Sequence, residues 1–469
     1  MNHLAIVRLL SGIGFGIALA YLLSAVVAGI ADEYDEAILF LVCGSVLGAL
    51  GGVILLLTDR PSRKTRPQDA LAVAILFWCL APVVTAVPFV PTVGDGGILS
   101  ALYESASNLT TTGHSLVDAR VSPLSSSLLF WRAVLHVIGA TASVSIAVTV
   151  FSALNLGGPG VHRSRFFTEP ESSFFDKVPQ VIRLSFVAIL VASTLLGGLL
   201  LAFGVAPRDA LAGAVSAITT GMVDPASSMV APQQGGVHAT LLWLGLVVGT
   251  FGLLVLENMG AQGRKNIVQD PELIAWAGTI ILVSVLAIFA GLPALQSLGW
   301  ATSSVATSGL ALSDPAQFNR LPVVLVLFPV LIGGAALSAA GGVKLARLIV
   351  LSRRVALEFV QLGYRGSVQT FSFRGRKQSE RTVMGVWVYL VGYIVACTVG
   401  VLLFSMTGLA FEDAIRASVG TLSNAGHIIT GMGANLDPVA QFCAVFGMIL
   451  GRLEVIALIP ALNPSFWQR

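Results

Sequence analysis

The chain has 469 residues, of which 55% are hydrophobic and only 11% charged, and its net charge is +3. A water-soluble domain carries about a quarter charged residues, so a mean hydropathy of +0.86 excludes an ordinary soluble fold and makes lipid the main solvent. No basic run interleaved with aromatics suits nucleic acid, and Cys43, Cys79, Cys397 and Cys443 lie in or beside apolar segments without the spacing of a metal or redox motif.

Apolar stretches of membrane-crossing length recur along the whole chain. The first, Leu9–Ile30, is longer than the apolar region of a secretion signal, lacks a clear cleavage site and is followed by a second stretch, so it is taken as a span. The others are Ala37–Leu57, Leu71–Val90, Ser127–Leu154, Ile182–Val205, Val237–Leu256, Leu273–Leu292, Leu321–Leu345, Val383–Phe404 and Ala440–Pro460. With the N-terminus inside, the inner connections collect 21 of the 27 basic residues, which places both termini in the cytoplasm. The first outer connection is acidic instead, with Asp32, Glu33, Asp35 and Glu36.

Four of the outer connections contain a short apolar stretch ending in hydroxyl or amide residues and a glycine. Aligned on that glycine they are Ala101–Gly113, Asp209–Gly221, Ser297–Gly309 and Ala414–Gly426. At about 1.5 Å per residue such a stretch crosses only half a bilayer, so it must enter and return on one side. The expectation is an all-α polytopic membrane protein: four pseudo-symmetric repeats of helix, re-entrant pore helix and helix around one pore, plus two extra N-terminal spans. The boundaries are 1–66 for the peripheral spans, 67–160, 161–262 and 263–352 for the first three repeats, and 353–469 for a cytoplasmic linker and the fourth.

Backbone that leaves helical geometry inside a membrane must line water or be buried in protein. The candidate filter is therefore the set of turns after the short helices: Thr110, Thr111, Thr112 and Gly113; Ile218, Thr219, Thr220 and Gly221; Ala306, Thr307, Ser308 and Gly309; Ser423, Asn424, Ala425 and Gly426. Their carbonyls can replace the hydration shell of a monovalent cation, with Thr111, Thr219, Thr307 and Asn424 bracing the turns. Glu104, Asp209, Glu412 and Asp413 lie at or near the starts of three short helices, where acids complement the helix N-terminus and draw cations to the mouth.

Within the eighth span, Gly333–Gly342 reads GGAALSAAGG. Each interior glycine costs about 1 kcal/mol against alanine, so a break is expected there, forming a loop beneath the filter; the alternative is an unusually close helix contact. Arg452 lies within the last span, where a charge marks function by default, and its expected role is to block the cavity and donate to the carbonyls of that loop. Glu454, two residues on, is not expected to share its face. Lys344 and Glu257 are taken as interfacial, Arg132 as a support for carbonyls behind the first filter turn, and His136 as a packing residue. His114 and His427 follow filter glycines without the carboxylates a metal site needs. No nucleotide fingerprint or hydrolytic constellation is present, so no enzyme activity is expected, and Gly157–Gly160 is a turn.

The stretches Leu102–Gly113, Phe130–Gly139 (FWRAVLHVIG), Gly333–Leu348, Gly451–Ile459 and Pro464–Trp467 (PSFW) resemble the TrkH-type membrane subunit of the Trk/Ktr family of potassium uptake proteins. The resemblance covers nearly the whole chain. It implies K⁺ as the transported ion, held at Thr111, Thr112, Thr219, Thr220, Thr307, Ser308, Asn424 and Ala425. It further implies a gate formed by Gly333, Gly334, Ala339, Ala340, Gly341, Gly342 and Arg452. A homodimer in the bilayer of the bacterial inner membrane is implied as well, with a cytoplasmic RCK-type ring that would bind NAD or ATP on this chain's behalf. The sequence departs from the family at Ala339 and Ala340 and at the histidine after Gly426, and Asn424 in place of the threonines at Thr111, Thr219 and Thr307 makes the pore less than strictly four-fold. A carrier coupling K⁺ or Na⁺ to protons is the alternative. It would call for a midplane carboxylate and oppositely broken helices, and all four short helices enter from one side.

Overall fold

The computed structural model describes residues 2–58, 67–93, 97–117, 124–153, 174–224, 236–251, 270–310, 312, 321–336, 338–364, 372–373, 376–377, 380–430, 432–433, 436–455 and 461–468. Most of the inner basic connections, Gly157–Gly160, Glu257 and the middle of the 154–173 stretch lie outside the described residues.

The helices follow in chain order as α1 (His3–Ile30), α2 (Tyr34–Leu57), α3 (Pro67–Thr85), α4 (Gly97–Leu109), α5 (Ser126–Ala153), α6 (Phe174–Ala202), α7 (Pro207–Thr219) and α8 (Gly236–Phe251). They continue as α9 (Pro271–Phe289), α10 (Ala294–Val305), α11 (Val323–Ile332), α12 (Leu345–Gly363), α13 (Glu380–Met406), α14 (Phe411–Leu422), α15 (Pro438–Leu453) and α16 (Pro464–Gln468). Ser372–Phe373 and Arg376–Lys377 pair as a small antiparallel hairpin between α12 and α13, which leaves the class all-α.

Seven helices among the described residues are long and apolar enough to cross a membrane: α1, α2, α3 with its continuation to Phe89, α5, α6, α9 and α13. The three shorter apolar helices, α8, α11 and α15, are the second helices of repeats two, three and four. Bounds follow local chemistry. Asp270 and Asp437 accept the N–H of Glu272 (2.9 Å) and Val439 (2.7 Å) at the starts of α9 and α15, each ahead of a proline in the first turn.

Burial is inverted relative to a soluble protein. Leu56 is 88% exposed while Thr110, Thr111 and Thr112 are 0% exposed, as expected where lipid surrounds the molecule and polar groups gather inside. The short helices α4, α7, α10 and α14 are 12 or 13 residues long and lie inside the bundle.

Their packing closes a ring. α4 lies between α3 and α5 and against α15; α7 between α6 and α8 and against α5. α10 lies between α9 and α11 and against α8; α14 between α13 and α15 and against α11. Every short helix is thus held by its own two flanking helices and by the second helix of the preceding repeat, with repeat four preceding repeat one. The α1–α2 pair stands outside, with α1 against α3 and α5.

The eighth apolar stretch is not a continuous helix. α11 stops at Gly333 (φ 72°), and the chain returns through Gly342 (φ 78°), both left-handed angles that a side chain disfavours. Val343 N–H then donates to Leu331 O (2.9 Å) and Lys344 N–H to Ile332 O (3.0 Å), so the loop departs from and rejoins the same point and caps α11.

Candidate ion-conducting site

The four short helices end in the same way. A left-handed residue, Thr111 (φ 52°), Thr220 (55°), Thr307 (56°) or Asn424 (49°), reverses the chain. The next N–H bonds five residues back: Thr112 to Ser107 O (2.8 Å), Gly221 to Ser216 O (3.2 Å), Ser308 to Ser303 O (3.0 Å) and Ala425 to Gly420 O (2.8 Å). This is a Schellman closure built without glycine at the left-handed position. It sets the C-terminal carbonyl ends of four helices around one point, where their partial negative charge favours a cation.

The closure also fixes the register between repeats. Gly113, Gly309 and Gly426 each stand two residues after the left-handed residue, whereas Gly221 stands one residue after it. Second-helix glycines pack against the same stretch of each short helix. A Cβ on Gly139 or Gly451 would strike the carbonyl of Leu109 or Leu422, each two residues before its left-handed residue, and one on Gly249 would strike the carbonyls of both Ala217 and Ile218. Alignment on the glycine therefore places the second repeat one residue out. The counterpart of Thr111 is Thr220 rather than Thr219, and the residue at the position of the glycines of the other repeats is Met222. Thr219 Oγ1 donates to Val215 O within its own helix (2.7 Å), and Thr220 Oγ1 has no hydrogen-bond partner among the described residues.

Neighbouring turns are joined sideways. Gly426 N–H donates to Thr112 O (3.0 Å) and Asn424 Nδ2 to Thr112 Oγ1 (3.2 Å), linking repeats four and one. Ser308 Oγ donates to Gly221 O (3.1 Å), linking three and two. Behind the first two turns lies a buried ion pair, Arg132 Nη1 to Glu104 Oε2 at 2.9 Å, and Arg132 Nε donates to Val223 O (2.6 Å). Arg132 thus holds a carbonyl of the second turn, not the first. Glu104 is not at the mouth: it is buried, and its other oxygen accepts from Leu116 N–H (2.6 Å) and Ser115 Oγ (2.8 Å). A buried acid does stand near the turns, and these donors and the arginine occupy it.

The glycine-rich loop lies against the deep end of the ring. Arg452 donates Nε to Thr110 O (2.6 Å), Nη1 to Ala339 O and Nη2 to Thr111 Oγ1. Gly341 N–H donates to Thr307 Oγ1 (2.9 Å), and a Cβ on Gly341 would strike Ser423 O. The loop therefore touches repeats three and four directly and repeat one through Arg452.

Three further groups hold the loop or the start of α12 behind it; Lys344 was expected at an interface, and Glu272 and Glu454 had no expected role. Glu272, fully buried on α9, accepts Ala336 N–H (2.6 Å). Lys344 folds its ammonium onto Ser338 O (3.1 Å) and Ala340 O rather than reaching an interface. Glu454 pairs with Arg347 at the start of α12, and that guanidinium stacks on Tyr389 at 4.0 Å. Only the charge of these residues in an apolar context could have marked them. Their partners are 64 or 107 positions away in the chain for Glu272 and Glu454.

A family model described as a cation transport protein, TrkH, matches residues 277–467. The Trk system potassium uptake protein TrkH of Salmonella typhimurium is 25% identical over 438 residues, 90% of each chain. TrkG of Escherichia coli is 25% identical over 456 residues, 92% of this chain and 91% of its own. The crystal structure of the potassium transporter TrkH from Vibrio parahaemolyticus has the same fold, with a TM-score of 0.85, 22% identity and full coverage of both chains. Its ring of four re-entrant turns, its span pattern and these likenesses over nine-tenths of its length give this chain the polytopic all-α membrane fold of TrkH, and its sequence is similar to the TrkH family of cation transport proteins.

Proposed function

We propose that this chain is the pore-forming subunit of a potassium uptake system, and that K⁺ passes between the turns at Thr110–Gly113, Thr219–Met222, Ala306–Gly309 and Ser423–Gly426. The observation that carries the reading is the ring itself: four equivalent helix C-termini, each wedged against the preceding repeat, with their turns bonded sideways. Backbone carbonyls there supply oxygen ligands, and relatives named for potassium uptake supply the ion. The loop at Gly333–Gly342 and Arg452 form a gate, closed in this arrangement, with Ala339, Ala340 and Gly341 lying under the turns. Proton-coupled carriage is disfavoured because Glu104 and Glu272 are both occupied by fixed donors.

The resemblance extends the proposal to a homodimer in the bacterial inner membrane and to an RCK-type ring on the cytoplasmic side, docking on the basic inner connections. NAD or ATP would act through that ring.

The test is selectivity. Gly113→Ser places a side chain against the Met222 backbone, where a Cβ would lie 2.6 Å from N and 2.9 Å from Cα. Reversal potentials in mixed K⁺ and Na⁺ should show a lower K⁺ preference for this variant and for Gly426→Ser. Unchanged selectivity in both folded variants would reject the ring as the filter.

A further inference from the structure

Three of the four repeats place a glycine two residues beyond the left-handed turn residue, and the second places Met222 there. Around the ring, each of the three glycines is covered by the next repeat. A Cβ on Gly113 would meet Met222 backbone, one on Gly309 the His427 side chain, and one on Gly426 the Thr112 and His114 backbones. Only the step from repeat two to repeat three lacks such a glycine contact, and it is the step that Met222 occupies.

Local packing accounts for the exchange. At Gly221 a Cβ would lie 2.5 Å from His136 Cδ2 and 2.7 Å from Thr111 O, so a glycine is required one residue earlier than in the other repeats. Gly113 and Gly309 have left-handed angles (76° and 72°), while Met222 has no positive φ and can carry a side chain without strain. Its backbone is pinned on both sides. Gly221 donates to Ser216 O (3.2 Å) and accepts from Ser308 (3.1 Å); Val223 accepts from Arg132 (2.6 Å), and its N–H donates to Ser216 Oγ (3.0 Å). Met222 is half-buried between two buried neighbours, so a flexible thioether chain is presented from a rigid frame.

From this placement we infer that Met222 is a specificity-determining residue of the pore: it breaks the ring of glycines on the returning limb of the turns and weakens discrimination among alkali cations. The inference rests on the turns being the ion path. A thioether is a poor ligand for a hard alkali cation and a good one for a soft cation, and its bulk unbalances the oxygen ring that replaces the hydration shell. Potassium and sodium should be separated less well than in a four-glycine ring, and thallous ion, soft and of potassium's size, should be relatively favoured.

The experiment measures K⁺, Na⁺ and Tl⁺ permeability in proteoliposomes for the full chain, Met222→Gly and Met222→Ala, in parallel on the wild-type and Arg452→Ala backgrounds so that a closed gate does not silence the comparison. In Met222→Gly the K⁺ to Na⁺ ratio should rise about fivefold, which corresponds to about 1 kcal/mol, and the Tl⁺ to K⁺ ratio should fall. Met222→Ala should lie between and keeps the test open if the glycine variant does not fold. A Met222→Cys variant should also be blocked by an impermeant cationic thiol reagent added outside, with high K⁺ slowing the block. Unchanged ratios in a folded variant that still shows the block would overturn the role of Met222 and leave the pore in place. Unchanged ratios for Met222→Gly and Gly113→Ser together, with no block, would overturn both readings.

Discussion

Glu33 illustrates how one carboxylate can join parts of the chain that the sequence keeps far apart. It follows α1 at the outer face and accepts the N–H groups of Ser126 (2.7 Å) and Ser127 (2.9 Å), capping α5 from 93 residues away. Burial alone would raise its pKa, but the bonds from Ser127 and Ser126 and the charge of Arg208 outweigh that and hold it below the usual carboxylate value. A group whose pKa is lowered on folding stabilises the fold above its unfolded pKa and loses that contribution as pH falls through the folded value. Glu33→Ala should therefore lower stability in detergent by about 1 kcal/mol at neutral pH, the usual worth of a helix cap. Thermal unfolding of both proteins as the pH is lowered into and below the carboxylate range should bring their midpoints together. A difference that persists unchanged in acid would mean that the residue acts by packing.

The loop at Gly333–Gly342 is an element whose position was legible and whose supports were not. Four glycines in ten residues announced the break, because so many in one stretch of helix are expensive, and the buried charge of Arg452 announced a partner. What fastens the loop is spread over α9, α12 and α15, and no local pattern joins Glu272, Lys344 and Arg452 before the chain is folded. The filter shows the same division. Its four turns were readable as repeats, but the one-residue offset in the second depends on where the helix closes, and both threonines of Ile218–Gly221 fit the pattern equally well. Arg452 is buried with carbonyl and hydroxyl partners, and no carboxylate is among its described hydrogen bonds, so hydrogen bonding alone offsets its desolvation. Arg452→Ala removes both the fixed charge and the bond to Ala339; deleting Ala339 and Ala340 shortens the same loop. Both variants should raise cation flux into proteoliposomes without any cytoplasmic partner. If correctly folded variants conduct no faster than wild type, the loop is a packing feature.

At the scale of the whole molecule, re-entrant short helices and full spans make different counts of membrane crossings. Between Asp35, exposed at the start of α2, and Tyr364, exposed after α12, the chain passes through α2, α3, α5, α6, α8, α9 and the broken α11–α12 unit. Those are seven crossings if α4, α7 and α10 return to the side they came from, which puts the two residues on opposite faces. Ten crossings would result if the three short helices spanned, which puts them on the same face. Their lengths, at about 1.5 Å per residue, reach only part-way across about 30 Å of hydrocarbon, and each ends in a reversal rather than a connection to the far side. Charge gives the direction: Arg353 and Arg354 stand midway along α12, while Asp32, Asp35 and Glu36 flank the start of α2. Single cysteines at Asp35 and Tyr364, introduced with the four native cysteines replaced by serine, should respond differently to an impermeant thiol reagent. Asp35→Cys should label in intact cells and Tyr364→Cys only after the membrane is opened. Labelling of both from one side would make the short helices spans and dissolve the ring, whereas the opposite pattern would invert the molecule and turn the filter toward the cytoplasm.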